Sequence, residues 1–295
     1  MQPEISILMN CFNGERYLRE ALDSILNQTY SNWELIFWDN QSTDNSAAIV
    51  KGYNDSRIKY YYSPEHTVLG KARNLALKKV RGEWLAFLDV DDLWMPDKLE
   101  KQVSLINRDE TDLGFVYGRS EIFYETGSKK SFVFKKGERL PEGYIFKELA
   151  KNNFIPFLSG LVNMNKFIQI GGFPEDFKNS TDYYMYLHLA YRYPVRAVQD
   201  VCCRYRIHEK NLSHSQRIIG NNECIRVVSE FLPDKHAKEG IRYHYADLAI
   251  AYLKDHKYAD MFKIIVKHNC FIIIIRRIIS AVIRRINNKG VPAEL

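Results

Sequence analysis

Four times in its first hundred residues the chain switches between a short apolar run and a stretch where apolar residues return every third or fourth position. Ile5–Met9, Trp33–Trp38, Ile58–Tyr62 and Trp84–Leu88 have the length and composition of buried strands. Between them, residues 15–27, 45–53 and 71–80 carry helical periodicity, clearest in Leu18, Ala21, Leu22, Ile25 and Leu26. Asp44 offers a cap for the second helix, and Pro96 suits the first turn of a fourth, running to about residue 107. Such alternation predicts βαβ units, hence an α/β fold around a mostly parallel sheet with helices on its faces. Ligands of such sheets bind beyond the carboxyl ends of the strands. Asn13, Asp39, Asp89 and Asp91 fall at those ends, on one rim.

Beyond Leu113 the pattern changes. Phe115–Tyr117, Ile122–Tyr124 and 203–207 read as strands, 129–136 as a hairpin arm, and 182–192 as a helix. Residues 154–177 are apolar and loop-rich, punctuated by Gly160, Gly171 and Gly172, and everything after about Ser213 reads helical. The expected division is a body over 1–220, with halves 1–110 and 111–220, and a helical region over 221–295.

WLAFLDVDDLW, at 84–94, sets Asp89, Asp91 and Asp92 within four positions at a strand end. Clustered carboxylates hold a hard cation, trade protons, or cap the next helix, and capping needs only one of them. Oxygen ligands favour Mg2+ or Mn2+, which keep waters and bridge to substrate phosphates. A metal at the rim of an α/β sheet therefore suggests a nucleotide diphosphate as its other ligand.

The charge pattern excludes other classes. The net charge is +6, yet residues 261–295 contain seven Lys or Arg and a single acid, Glu294. The body is thus near neutral, which argues against diffuse nucleic-acid binding. The five cysteines show no CxxC spacing, and the histidines no zinc-ligand spacing. The opening MQPEISILMN has no signal pattern, and no apolar run approaches the roughly 20 residues of a membrane-spanning helix. A cytoplasmic protein with free thiols is expected.

Five stretches in a fixed order give the body a familiar outline. They are CFNGERYL at 11–18, QTYSNWELIFWDNQSTDNS at 28–46, GKARNLAL at 70–77, RGEWLAFLDVDDLW at 81–94 and YRIHEKNLS at 205–213. Together they resemble glycosyltransferase family 2, the inverting sugar transferases of GT-A fold, over roughly residues 4–215. The resemblance implies a nucleotide-sugar donor, most often a UDP-sugar. Cys11, Phe12, Asn13 and Glu15 would line the nucleotide pocket, with Asp39 accepting from the base and Arg73 near the diphosphate. Asp89 would face the ribose, Asp91 would bind Mn2+ or Mg2+, Asp92 would support the sugar or the metal shell, and His208 would reach the metal or the diphosphate.

In the same family an acidic pair precedes a helix about 90 residues beyond the metal motif. Here that pair is Thr181-Asp182, so Asp182 would be the general base and Thr181 an altered acceptor contact. Gly171-Gly172-Phe173 matches the loop that shapes the acceptor side, which makes Gly172 an acceptor-side residue. For Trp94 two readings stand: a platform for a sugar, or core packing. Two rival functions also stand. A sugar-phosphate nucleotidyltransferase would need a glycine-rich basic loop after the first strand, which NCFNGERY at 10–17 does not supply. An inactive scaffold is disfavoured by intact Asp89, Asp91 and Asp182.

CFIIIIRRIISAVIRRINNKG, at 270–290, forms a basic amphipathic helix on a helical wheel. Arg276, Arg277, Ser280, Arg284, Arg285 and Asn287 share one half, while Phe271, Ile272, Ile275, Ile278, Ile279, Val282, Ile283 and Ile286 share the other. It either lies on an anionic membrane surface through 270–289 or packs on protein. On the first reading the protein is peripheral on the inner face of the cytoplasmic membrane. Its acceptor is then a glycan, as on undecaprenyl-diphosphate carriers of bacterial O-antigen or capsule.

Overall fold

The computed structural model describes residues 3–125, 130–209, 211 and 215–287. The first half follows the expected alternation: β1 Ile5–Cys11, α1 Glu15–Leu26, β2 Trp33–Asp39, α2 Ser46–Lys51, β3 Ile58–Tyr62, α3 Leu69–Leu77 and β4 Trp84–Phe87. A two-residue β5, Leu93–Trp94, and α4, Lys98–Arg108, come next. The strands β3, β2, β1 and β4 are all parallel, with Cys11 beside Asp39 and Leu8 beside Phe87. Their carboxyl ends therefore share one rim, as expected.

The second half departs from the sequence reading. Phe115–Tyr117 and Ile122–Tyr124 are parts of one ten-residue strand, β6 (Phe115–Tyr124). The strand expected at 203–207 starts at Val195 and runs to Ile207, as β9 below, along β6 in parallel. Register shifts at Gly118 and Arg119 explain why no clean alternation marked it. Of the expected arm at 129–136, Phe132–Val133 (β7) pairs antiparallel with β6, and residue 129 lies outside the described residues.

The remaining elements of the body are α5 Phe146–Leu149, a 3-10 turn at Phe157–Ser159, β8 Leu161–Asn163, α6 Met164–Gln169, α7 Thr181–Arg192 and β9. Strand β8 runs antiparallel to β4 and to β6, and β5 antiparallel to β9. Among the described residues the result is a nine-stranded sheet, parallel on one side and mixed on the other.

Alternate side chains of the strands supply two cores. Ile5, Ile7 and Met9 pack under Leu18, Leu22 and Ile25 of α1, while Leu8, Ile36 and Phe87 pack toward α3 and α7. Helix α3 is pressed onto the loop before α7. A Cβ on Gly70 would stand 1.9 Å from the Pro174 carbonyl oxygen, so only glycine lets the two backbones meet there.

The C-terminal helices are α8 Arg217–Ser229, α9 Lys235–Lys254, α10 Tyr258–His268 and α11 Phe271–Asn287. Val227 and Val228 of α8, and Ala237 of α9, belong to the same core as the sheet, so packing continues across the expected division at 220/221. Further out, Ala246 and Ala249 form a small separate cluster with Cys270, Ile273 and Ile274. Thus one edge of α11 packs on protein, and Arg277 pairs with Asp247 at 2.9 Å. The apolar face read from the sequence is left open: Phe271, Ile272, Ile275, Ile278 and Ile279 are all exposed. Of residues 280–287 only the helical course is described, and 288–295 lie outside the described residues. No described helix is long and apolar enough to cross a membrane.

Candidate active site

A cleft of about 640 Å³ opens at the carboxyl rim of β1, β2 and β4. The loops after β1 and β2 form its first wall and are laced to each other. Asn13, at φ +55, accepts from the Thr43 amide (2.8 Å), and its own N–H donates to Ser42 Oγ (3.0 Å). Glu15 accepts from both the backbone and side-chain nitrogens of Asn45 (2.9 and 2.8 Å), while Asp44 accepts from the Glu15 and Ser46 amides. Cys11 and Phe12 face the cleft, Phe12 being 53% exposed and tilted against His66 with 4.4 Å between ring centroids. Asn13 and Glu15 do not line the cleft, contrary to expectation; Asn13 Oδ1 and Glu15 Oε2 bond the neighbouring loop instead.

Asp39 is fully buried beneath this wall. One of its oxygens accepts from the Ser42 amide and the other from the Tyr60 hydroxyl, each at 2.7 Å. The cleft surface at this point is Asn10 and Asn40 instead, and Asn40 is fixed by donating to the Thr67 carbonyl (2.8 Å).

The three carboxylates that end β4 have separate fates. Asp92 is buried; its Oδ1 accepts from the Arg206 amide (2.8 Å), and its Oδ2 finds no partner among the described residues. Burial, followed by the charges of Asp91 and Asp89, pushes its carboxyl well above the usual range. Asp92 thus anchors β9 to the rim. Asp89 meets the buried Arg73 guanidinium at 3.3 Å. Burial raises the Asp89 carboxyl to about 6 against the pull of Arg73. Its side chain is nevertheless 37% exposed to the cleft, so water there screens much of that effect.

Asp91 turns the other way, and its Oδ2 lies 2.8 Å from His208 Nε2. A carboxylate at the cleft with an imidazole against it suits a divalent ion that would keep waters and phosphate oxygens for its remaining positions. Among the described residues no group of three or more His, Cys, Asp or Glu gathers at one point, so protein atoms would fill only a minority of the shell. The residues present fit such an ion.

Asp182 stands in the first turn of α7, on the same cleft. Asn153 Nδ2 donates to its Oδ2 at 3.1 Å. Burial raises the Asp182 carboxyl, while the Asn153 hydrogen bond and the Arg73 charge oppose the rise. Thr181 is fully buried and accepts a hydrogen bond from Arg73. It is therefore a buried partner of Arg73 and does not line the cleft. Arg73, stacked 3.8 Å over the Phe157 ring, links the carboxylate rim to the start of α7.

Two further expectations are corrected. Trp94 is core: it is 4% exposed, its indole donates to the Leu158 carbonyl (2.9 Å), and Lys98 covers its ring. Gly172, at φ +75, lies behind the cleft in a loop held by Asn74, which donates to the Phe173 carbonyl at 2.7 Å. The sequence reading missed Asn10, Asn40, His66, Asn153, Lys178 and Gln216, all of which line the cleft. Asn40, next to Asp39, carried a positional hint; Asn10 sits at the end of β1, and the others lie in connections with no motif.

Comparison with known proteins agrees with this fold. The sequence model described as Glycosyl transferase family 2 matches residues 6–167. The chain is 32% identical, over 72% of its own length and 80% of the relative's, to UDP-Glc:alpha-D-GlcNAc-diphosphoundecaprenol beta-1,3-glucosyltransferase WfgD of Escherichia coli. Some curated relatives are longer, and the chain spans 40% of an uncharacterized glycosyltransferase of Rickettsia felis at 28% identity. Among solved structures, S. aureus TarS 1–349 with UDP-GlcNAc superposes with a TM-score of 0.63 at 20% identity, over 83% of this chain and 72% of that one. The mannosyltransferase PcManGT from Pyrobaculum calidifontis, with GDP-Man and Mn2+, gives 0.63 at 18% identity over 97% and 88%. At those identities the likeness is one of fold, GT-A in each case. By fold, by the matched motifs and by its curated relatives, the chain belongs to glycosyltransferase family 2.

Proposed function

We propose that the protein transfers a sugar from a nucleotide-sugar donor, a UDP-sugar, to a hydroxyl of a lipid-linked glycan in bacterial surface-polysaccharide synthesis, with inversion at the anomeric carbon. One observation carries the reading: Asp91, held from behind by His208, and Asp182, held by Asn153, face a single cleft that Arg73 also lines. The name of the E. coli relative supports the UDP-sugar and the lipid diphosphate.

In this account Phe12 offers its ring face to the base, and Asn10 and Asn40 supply polar atoms beside it. Asp91, with His208 behind it, would hold Mn2+ or Mg2+, which would supply Lewis-acid stabilisation of the charge on the departing diphosphate. Asp182 takes the proton of the acceptor hydroxyl, whose oxygen bonds to the anomeric carbon as the bond from that carbon to the diphosphate breaks. Asn153 holds the Asp182 carboxylate in place. Arg73 keeps positive charge beneath Asp89, and the apolar wall of Leu69, Phe154, Ile155 and Phe157 limits the entry of water.

The C-terminal helices bring the cleft to its substrate by resting on the anionic inner face of the cytoplasmic membrane. Supporting this are the open face of α11 and the neighbouring exposed Phe262 and Val266 of α10. The surplus of seven Lys or Arg over one acid from residue 261 onward suits acidic lipid headgroups.

Asp182→Asn tests the assignment. Nucleotide binding should persist while transfer falls by about 10²–10⁴-fold, the usual worth of a general base. A variant that transfers at nearly the normal rate removes Asp182 from that role.

A further inference from the structure

Besides the imidazole of His66, the basic side chains that line the cleft among the described residues are Arg73 and Lys178. Arg73 is buried and committed to Asp89 and Thr181. Lys178 is exposed, four residues ahead of Asp182, and among the described residues its side chain has neither a hydrogen bond nor an ion pair. Its backbone is firmly placed. Glu223 of α8 accepts from the Lys178, Asn179 and Ser180 amides at 2.7, 3.1 and 2.7 Å, and the Ser180 hydroxyl donates to the Gly220 carbonyl. A lysine on so fixed a loop presents its ammonium to the cleft from a defined base.

Two amide oxygens of the same lining, Asn153 Oδ1 and Gln216 Oε1, are buried without a donor among the described residues. The orientation of Asn153 follows from chemistry. Its Nδ2 must face Asp182, because an amide oxygen against a carboxylate would be repelled, and Oδ1 is left as a bare acceptor. Buried acceptors of this kind are costly until a donor arrives, and the hydroxyls of a sugar are donors.

We propose that Lys178, Asn153 and Gln216 form the acceptor subsite, Asn153 and Gln216 taking hydroxyl protons of the accepting sugar and Lys178 pairing with a phosphate borne by that sugar. The inference rests on the reading of Asp182 as base, and it adds that the acceptor carries its negative charge directly beside the sugar that is extended. A neutral glycan would leave Lys178 without a partner in a cleft otherwise rich in carboxylates. Lysine suits this task as a mobile point charge for phosphate.

Farnesyl diphosphate is the probe, titrated calorimetrically into the full chain saturated with UDP and Mn2+, with farnesol as the uncharged control. The wild type should bind the diphosphate. Lys178→Ala should weaken it about tenfold or more, Lys178→Arg should stay within about threefold, and farnesol should not distinguish the variants. Binding of UDP itself should be unchanged by either substitution. The proposal is overturned if the wild type fails to bind farnesyl diphosphate, if Lys178→Ala binds it as well as the wild type, or if that variant loses UDP affinity to the same extent. Should UDP not bind at all, the donor reading fails on its own, and the same titration without UDP still scores Lys178.

Discussion

Replacing Gly70 by alanine tests whether the contact between α3 and the loop before α7 sets the active site. The new Cβ would lie 1.9 Å from the Pro174 carbonyl oxygen, 3.0 Å from its carbon and 3.3 Å from the Phe177 carbonyl oxygen, where ordinary contact begins at 3.4 Å. All three are backbone atoms, so no side chain can swing aside, and helix or loop must retreat by about 1.5 Å. The Gly70 amide also donates to Phe177 O at 3.0 Å, and that bond would stretch with the retreat. Overpacking of this kind costs about 1–3 kcal/mol. The helix carries Arg73 one turn later, and the loop leads into Asp182. A misplacement of about 1 Å at reacting groups costs roughly 100-fold in rate. Gly70→Ala should therefore lower the urea midpoint and cut transfer about 100-fold, with UDP affinity falling far less. Gly52→Ala is the control, since its Cβ meets only two helix carbonyls at 3.3 and 3.4 Å, and it should be close to neutral. Full transfer at normal stability in Gly70→Ala would refute the argument.

Three other outcomes are expected. Ile275→Ser, Ile278→Ser and Ile279→Ser together alter only exposed positions, so they should leave the melting temperature in place while weakening co-sedimentation with phosphatidylglycerol vesicles at least tenfold; retained sedimentation defeats the membrane reading. Burial drives the imidazole of His244 down to about 4, well below its ordinary 6.5, where it shares a hydrogen bond with the Tyr183 hydroxyl. Between pH 6.5 and 4 the unfolded chain thus binds a proton at this ring that the folded chain refuses, so the contribution of His244 to stability rises with pH across that window and is lost as pH falls. His244→Gln should flatten that slope, as read from urea midpoints over the same range. Phe12→Ala removes an exposed ring, and it should weaken UDP binding about tenfold without altering stability.

The parallel half of the fold was legible because each strand there is short, apolar and bounded by turn residues. The other half was not: β6 and β9 hold Arg119, Arg196, Arg204 and Arg206 in their interiors, partnered by Asp109, Glu121, Glu20 and backbone carbonyls. Charges satisfied by distant partners read locally as loop. At the site, Asp89 and Asp91 stood out because carboxylates crowded at one strand end repel one another, whereas Asp182 was placed by resemblance. Asp39 and Thr181 were placed by resemblance but serve as supports, since their hydrogen-bond partners, Tyr60 and Arg73, come from remote segments. Asn153 and Lys178 gave no signal, because an amide or a lysine in a loop is ordinary until its neighbours are known. Trp94 shows the converse: an aromatic beside an acidic motif suggested a ligand platform, and the antiparallel pairing of β5 with β9 buried it.

The central claim is that this cleft binds a nucleotide diphosphate through a metal held by Asp91. Calorimetric titration of UDP, GDP, CDP and dTDP, each with and without Mn2+, into the wild type and Asp91→Ala tests it most directly. The account predicts selective binding of UDP that requires Mn2+ and disappears in Asp91→Ala. Equal binding of UDP by both proteins, or binding indifferent to Mn2+, would contradict it.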